Sequence, residues 1–144
     1  MLISAVFHNR LDSDDEDMRF LGSSATINYL VEMNGGKPSI LHTDAELNIN
    51  SPYNTYTHQG LPPGPICMPG IDAISAALYP EPNCNYMYFC ATGVDGGTAF
   101  ATTLSQHEDN VEKYRDNWVR EEETETSETD ETTESSGLVI LPDT

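Results

Sequence analysis

Basic side chains are scarce in this sequence. Its 144 residues include six Lys and Arg against 24 Asp and Glu, which gives a formal net charge of −18 at pH 7. Such a surface repels phosphate backbones and anionic lipid headgroups, so we expect no nucleic-acid partner and no docking on acidic membranes. Residues 121–144 carry nine of the acidic side chains and no basic one. The composition therefore indicates a moderately acidic domain followed by a strongly acidic tail.

Cysteines are few and poorly spaced for metal binding. The chain has three, Cys67, Cys84 and Cys90, and none of them forms a C-x-x-C pair. Structural zinc sites draw on closely spaced pairs of ligands, so we predict no metal site. An odd number of thiols also fits poorly with a disulfide framework, and we expect buried free thiols.

Long apolar runs are missing as well. No stretch of the sequence approaches the roughly 20 apolar residues of a membrane-spanning helix. The opening MLISAVFHNRL is apolar, but it has neither a basic leader nor a small-residue cleavage site, so it does not match a signal peptide. Taken alone, the sequence predicts a soluble chain with no anchor or signal of its own.

Apolar spacing and turn residues predict an α+β fold, with helices packed around a small antiparallel sheet. The predicted helices cover Leu2–Leu11, the region Ile27–Val31, Thr43–Leu47, Ile71–Leu78 and Leu104–Trp118, and the predicted strands cover Asn85–Ala91 and Thr98–Thr102. The run GVDGG between the strands indicates a hairpin turn, and Thr43 with Glu46 matches a capping box. Glu, Thr and Ser dominate the end of the chain. We therefore predict a domain over residues 1–118 and a disordered acidic tail over 119–144.

The segment 48–70 is rich in proline but too apolar for a flexible linker. It holds five prolines and three glycines, which prevent regular helix. We predict an ordered, irregular loop that forms one wall of a groove. Within it, Asn54 and Tyr56 offer an amide and an aromatic face, the groups with which proteins bind sugars. The alternative is that Asn54 satisfies backbone groups of the turn and that Tyr56 belongs to the core.

Several segments, taken in order, resemble one known family. They are VFHNRL, SSATINYL, SPYNTYTHQGLPPGPI, PGIDAISAALYP and NYMYFCATGVDGGTAF, followed by a helix that contains His107. Together they resemble the C-terminal part of the catalytic domain of the endolytic murein transglycosylases (the MltG/YceG-like family). The likeness runs from about Ile3 to Tyr114 and includes nearly all of the predicted domain.

The resemblance implies a function. Members of this family cut peptidoglycan glycan strands internally and leave 1,6-anhydro-N-acetylmuramic ends, which limits strand length in cell-wall synthesis. One carboxylic acid protonates the glycosidic oxygen and then acts as base on the sugar's 6-hydroxyl. The resemblance implies no metal and no cofactor, peptidoglycan glycan strands and cell-wall synthases as partners, and the extracytoplasmic face of the bacterial cytoplasmic membrane as the place of the full-length parent.

The resemblance also points to substrate-binding residues. The candidates lie in the proline-rich loop and are Asn54, Thr55, Tyr56, Gly60, Leu61, Pro62 and Pro63. The sequence departs from the family at Gly22 and Ser24, where members carry Gln and Asp, and at Thr98, where they often carry His. These departures weaken the assignment of substrate contacts at those three positions.

The family's catalytic glutamate lies upstream of the VFHNRL segment and would therefore precede Met1. We expect this chain to be a partial catalytic domain that holds no catalytic residue and does not cleave peptidoglycan by itself. The alternative is a non-catalytic module that binds glycan, or that binds a partner in the cell-wall synthesis machinery.

Overall fold

The computed structural model describes residues 1–93 and 96–131, with side chains described as far as Trp118. Its elements are α1 (Leu2–Leu11), a short 3-10 helix (Glu16–Arg19), α2 (Ser24–Met33), α3 (Asp44–Leu47), α4 (Ile71–Leu78), β1 (Tyr88–Ala91), β2 (Thr98–Ala101) and α5 (Leu104–Glu131). The two strands pair antiparallel. The predicted α+β fold with a small antiparallel sheet is therefore confirmed.

The hairpin of β1 and β2 is the centre on which the outer helices pack. Tyr88 pairs with Ala101 and Ala91 with Thr98. Helix α5 packs against both strands, and α1 packs against β1, where the rings of Phe7 and Phe89 meet edge to face at 5.6 Å. Because both strands are short, the helices supply most of the buried apolar surface.

A tight contact fixes α5 against the hairpin turn. The indole Nε1 of Trp118 donates to the carbonyl of Ala91 at 2.8 Å. Gly93 has φ +65°, and a Cβ at this position would lie 2.7 Å from Cβ of Asn117. Two features require glycine here. The left-handed backbone disfavours a side chain, and helix α5 leaves no room for one.

Helix α3 begins with the predicted capping box. Thr43 Oγ1 accepts from the backbone N–H of Glu46 at 3.3 Å, and the carboxylate of Glu46 accepts from the backbone N–H of Thr43 at 2.8 Å. The bond from the backbone N–H of Thr43, and then one that the Thr43 hydroxyl donates to the same carboxylate at 2.9 Å, lower the pKa of the Glu46 carboxyl. The two caps satisfy donors that the first turn of a helix leaves without partners.

The first strand, the cysteines and the last helix differ from the predictions. Strand β1 begins at Tyr88, three residues after its predicted start. All three cysteines are free thiols, but only Cys90 is buried, while Cys84 is half-buried and Cys67 is exposed. The prediction of burial was wrong for Cys67 because its part of the proline-rich segment turns towards solvent. Helix α5 continues to Glu131, past the end that its apolar stripe predicts at Trp118. The last residues of the predicted tail, 132–144, lie outside the described residues, and the disorder of 119–144 stays a prediction.

Helix α4 lies on the surface, with no buried residue. Its aliphatic side chains Ile71, Ile74 and Leu78 are 74%, 43% and 68% exposed. Among the contacts of its residues is the hydrogen bond between the His8 ring Nε2 and the carbonyl of Ala77, at 2.9 Å. Within the described residues, no helix is long and apolar enough to cross a membrane.

Candidate functional site

The side-chain amide of Asn54 forms hydrogen bonds with the backbone around it. The residue is fully buried. Its Nδ2 donates to the carbonyls of Leu47 and Ile49 at 3.0 and 2.9 Å, and its Oδ1 accepts from the N–H of Tyr56 at 2.9 Å. Asn54 therefore closes the turn that leads from α3 into the proline-rich loop, as the structural alternative expects.

Thr55 ties the same loop to the start of α2. Its side chain is 2% exposed, and its Oγ1 accepts from the N–H of Ser23 at 2.9 Å. Oγ1 also lies 2.8 Å from the hydroxyl of Thr26. Since the Thr26 hydroxyl donates to the carbonyl of Ser23 at 2.7 Å, Thr55 is the donor between the two hydroxyls. The hydrogen bonds of the Thr55 side chain, like those of Asn54, are made within the fold.

Tyr56 is the residue of the motif whose side chain remains available. It is 39% exposed and lines a groove on the surface of the domain. Its ring lies beside Gly22, where a Cβ would be 3.7 Å from Tyr56 Cε1. Gly22 has φ +56°, so this backbone position is strained for any other residue type.

The remaining candidates form a turn beside the motif. Gly60 has φ +80°, and its N–H donates to the carbonyl of Arg19 at 2.8 Å. Leu61 is 71% exposed, Pro62 is half-buried and Pro63 is exposed. None of these four residues lines the groove. The structure thus brings Tyr56 alone among the candidates to the groove, and a substrate-binding role for the seven residues stays a prediction.

The groove has a volume of about 870 Å³ and runs between α1, the start of α2, the hairpin and α5. Most of its walls are apolar. Its larger polar side chains are those of Arg10, Asp17, Asn28, Tyr56, Tyr88 and His107. A large, mainly apolar groove with a few polar side chains is typical of ligand sites. Asp17 is exposed, so apolar side chains do not enclose it as they enclose a buried catalytic acid.

A cluster in this groove joins Arg10, Tyr88 and His107. The guanidinium carbon of Arg10 lies 5.2 Å from the centroid of the Tyr88 ring. The His107 ring stacks on Tyr88 at 5.2 Å with an interplanar angle of 20°. Burial lowers the pKa of Arg10. Burial, and then the charge of Arg10, lower the pKa of His107.

Sequence reasoning did not identify this cluster as a site. Its three residues come from α1, β1 and α5, and no local spacing relates them. The segment VFHNRL, which contains Arg10, was noticed only as part of the resemblance. Clusters assembled by tertiary packing leave no periodic signal in a single sequence.

The lowered pKa of His107 predicts a pH-dependent stability. At pH values between the ordinary pKa of histidine, near 6.5, and the lower pKa of His107 in the folded chain, the unfolded chain binds a proton that the folded chain does not. Unfolding should therefore become easier as the pH falls through this window, by less than about 1 kcal/mol since the ring is half-exposed. Urea unfolding at pH 7.5, 6.5 and 5.5 should show a smaller decline in His107→Gln. Parallel curves for the two proteins would contradict the assignment.

Comparison with known proteins agrees with the resemblance seen in the sequence. The profile of the YceG-like family matches residues 1–113. The chain is similar to an endolytic murein transglycosylase of Bacillus subtilis, with 38% identity over 112 residues. It is also similar to one of Streptococcus pneumoniae, with 35% identity over 114 residues. Each likeness covers 78% of this chain but only 28% and 20% of the respective relative.

A solved structure shares the fold. The crystal structure of a YceG-like protein from Listeria monocytogenes is 42% identical and superposes with a TM-score of 0.64. The likeness covers 75% of this chain and 32% of that protein. The family profile covers the chain from α1 into the first half of α5. This chain therefore belongs to the YceG-like family.

Proposed function

We propose that this protein takes part in lytic cleavage of peptidoglycan glycan strands and that the chain supplies the wall of the groove that binds the strand. The relatives named as endolytic murein transglycosylases support the reaction class. The observation that carries the proposal is the groove itself, which the partly exposed side chain of Tyr56 lines. An apolar ring face packs against the CH surface of a sugar.

Asn54 and Thr55 hold Tyr56 in place. Asn54 accepts from the N–H of Tyr56, and Thr55 connects the loop to α2 on the other side. The backbone of Tyr56 is thereby fixed from both directions. A loop that is ordered before binding loses less entropy when a sugar binds, and this lowers the cost of association.

The described residues favour binding over cleavage for this chain alone. Lytic transglycosylation needs a carboxylic acid that stays protonated near neutral pH. Among the side chains lining the groove in residues 1–93 and 96–118, the carboxyl group is that of Asp17, and it is exposed. We propose that cleavage requires a carboxyl group outside this chain. The longer protein would then act on the extracytoplasmic face of the cytoplasmic membrane, beside the cell-wall synthases.

A sedimentation assay with insoluble peptidoglycan tests the binding. We expect the chain to pellet with the polymer and Tyr56→Ala to bind about 3- to 10-fold more weakly, the effect of losing one aromatic contact. Tyr56→Phe should retain most of the binding. Tyr79→Ala is the matched control, because Tyr79 is 68% exposed but does not line the groove.

The reaction products test the division between binding and cleavage. Incubation of the chain with uncrosslinked glycan should yield no anhydro-muropeptides by mass spectrometry. Clear turnover would show that the chain contains its own catalytic acid. Failure of the chain to pellet with peptidoglycan, or equal binding by the Tyr56 and Tyr79 variants, would contradict the role of the groove.

A further inference from the structure

The groove lies between two parts of the fold that are joined through α1. One part is the hairpin with α5, and the other contains the 3-10 helix, α2, α3 and the proline-rich loop. Helix α5 packs on both strands and α2 packs on α3, while α1 packs on both the 3-10 helix and β1. The groove is lined by Tyr56 from one part and by Phe89 and Trp118 from the other. The width of the groove therefore depends on how firmly α1 joins the two parts.

The wall that carries Tyr56 is fixed to the segment that follows the 3-10 helix. The N–H of Gly22 donates to the carbonyl of Thr55 at 3.0 Å. The N–H of Ser23 donates to the side-chain hydroxyl of Thr55 at 2.9 Å. Because these bonds attach the loop to residues 20–23, a contact that holds this short segment also holds the wall.

Arg10, near the end of α1, spans the two parts. One terminal nitrogen donates to the carbonyl of Met87, directly before β1, at 3.0 Å, and the other donates to the carbonyl of Phe20 at 2.7 Å. The guanidinium also lies 5.2 Å from the centroid of the Tyr88 ring. Since its donors have fixed directions, this one planar group holds both carbonyls at once. A further contact across the same junction, from the Tyr88 hydroxyl to the sulfur of Met18, is 3.5 Å long and uses a weak acceptor.

Asn9, the neighbouring residue of α1, contacts one part only. Its Nδ2 donates to the carbonyls of Cys84 and Tyr86, both at 2.9 Å. Both acceptors belong to the segment that leads into β1. Asn9 and Arg10 thus each donate two hydrogen bonds, but only those of Arg10 connect the hairpin with the other wall of the groove.

We propose that Arg10 is a positioning residue of the glycan groove. By holding Phe20 and Met87 together, it keeps the wall of Tyr56 at a fixed distance from the hairpin. The proposal rests on the proposed function of the groove. Arg10 acts through the backbone on both sides and not by contact with the glycan. A groove whose width is set before binding loses less entropy when a strand enters, which favours association.

Replacing Arg10 with lysine keeps the charge and much of the apolar stem but breaks the connection. A single ammonium on a flexible stem does not reproduce the rigid fork that holds both carbonyls. We expect Arg10→Lys to bind insoluble peptidoglycan about 3- to 10-fold more weakly, an effect of the size expected for loss of the Tyr56 contact. Because Arg10 acts through the position of Tyr56, the double variant with Tyr56→Ala should bind about as weakly as either single variant.

Energy transfer measures the distance between the two walls. Trp118 is the single tryptophan of the chain, lines the groove from α5 and serves as the donor. The acceptor is a thiol-reactive dye on Asn50→Cys, because Asn50 is exposed in the proline-rich loop and does not line the groove. Cys67 and Cys84, which are not buried, are replaced by serine in this background. We expect a narrow distance distribution when Arg10 is present, and a broader distribution with a longer mean in Arg10→Lys.

Asn9→Ala is the matched control, since it also removes two hydrogen bonds of α1. It should lower the urea midpoint, while the distance distribution and the binding of peptidoglycan remain those of the wild type. Equal changes in the two variants would show that Arg10 only stabilises the fold, and would overturn the proposal. If Arg10→Lys does not fold, the chain with Arg10 decides the question. A broad distribution, or one that shifts when uncrosslinked glycan is added, would show that the width of the groove is not fixed.

The outcomes separate this proposal from the proposed function, because the distance measurement needs no glycan. Binding of the wild-type chain to peptidoglycan, with additive losses in the double variant of Arg10 and Tyr56, would overturn the role of Arg10 and leave the groove as a glycan site. A narrow distribution that broadens in Arg10→Lys, together with no binding to peptidoglycan, would contradict the proposed function and still show that Arg10 sets the width of the groove.

Discussion

Replacing Asn54 with alanine is expected to destabilise the chain by about 3–5 kcal/mol, the range of a lost buried hydrogen-bond network. The substitution removes three hydrogen bonds at once. It leaves the carbonyls of Leu47 and Ile49 and the N–H of Tyr56 without the partner that now satisfies them. A loss of this size is a large share of the stability of an ordinary domain. Urea unfolding followed by circular dichroism measures it.

Asn50→Ala is the matched control for this experiment. Asn50 lies four positions earlier in the same segment and is exposed, so its replacement should change the free energy of unfolding by less than about 0.5 kcal/mol. If Asn54→Ala were as stable as the control but bound glycan poorly, Asn54 would contact the substrate. The structure favours the opposite result, in which binding falls because the turn that positions Tyr56 has opened.

Replacing Gly93 with alanine is expected to cost about 2–4 kcal/mol. Part of this cost is the left-handed backbone at φ +65°, which disfavours any residue with a Cβ by about 1–2 kcal/mol. The rest comes from overpacking, because the new Cβ would lie 2.7 Å from Cβ of Asn117 and 3.1 Å from Cδ1 of Trp118. Helix α5 must then move away from the hairpin, which weakens the hydrogen bond from Trp118 to Ala91.

Gly96→Ala separates the two causes. Gly96 has φ +66°, but a Cβ there would meet nothing within 4 Å, so only the backbone cost remains. The chain has a single tryptophan, and the fluorescence of Trp118 reports its contact with the hairpin in both variants. Equal destabilisation by the two substitutions would show that the close approach of α5 does not constrain this turn.

Local signals predicted much of the fold. The capping box of Thr43 and Glu46 depends on residues a few positions apart and is present as predicted. The two strands on either side of the predicted turn pair antiparallel as expected, while residues 94 and 95 of that turn lie outside the described residues. The end of α5 was placed too early because the apolar stripe stops at Trp118. Helix can continue beyond such a stripe, since glutamate and arginine are good helix formers and backbone hydrogen bonds need no buried face.

The candidate site was predicted only in part. The motif Asn54-Thr55-Tyr56 was identified from the sequence. Which of its side chains are buried and which one is exposed depends on contacts with α2 and α3. Those contacts are non-local, as are the ones that bring Arg10 and His107 to Tyr88. A single sequence gives residue types and short spacings, and it does not give the directions in which side chains on separate elements point.

The exposure of α4 has a consequence for the dynamics of the chain. Its eight residues bury no side chain, so its separation from the body costs little hydrophobic free energy. Regions of this kind open independently of global unfolding. Amide hydrogens of α4 should therefore exchange with deuterium far sooner than those of the paired residues Phe89 and Phe100. Protection of the α4 amides from exchange would rise only if another surface covered Ile71, Ile74 and Leu78. Slower exchange in α4 would therefore report the binding of such a surface.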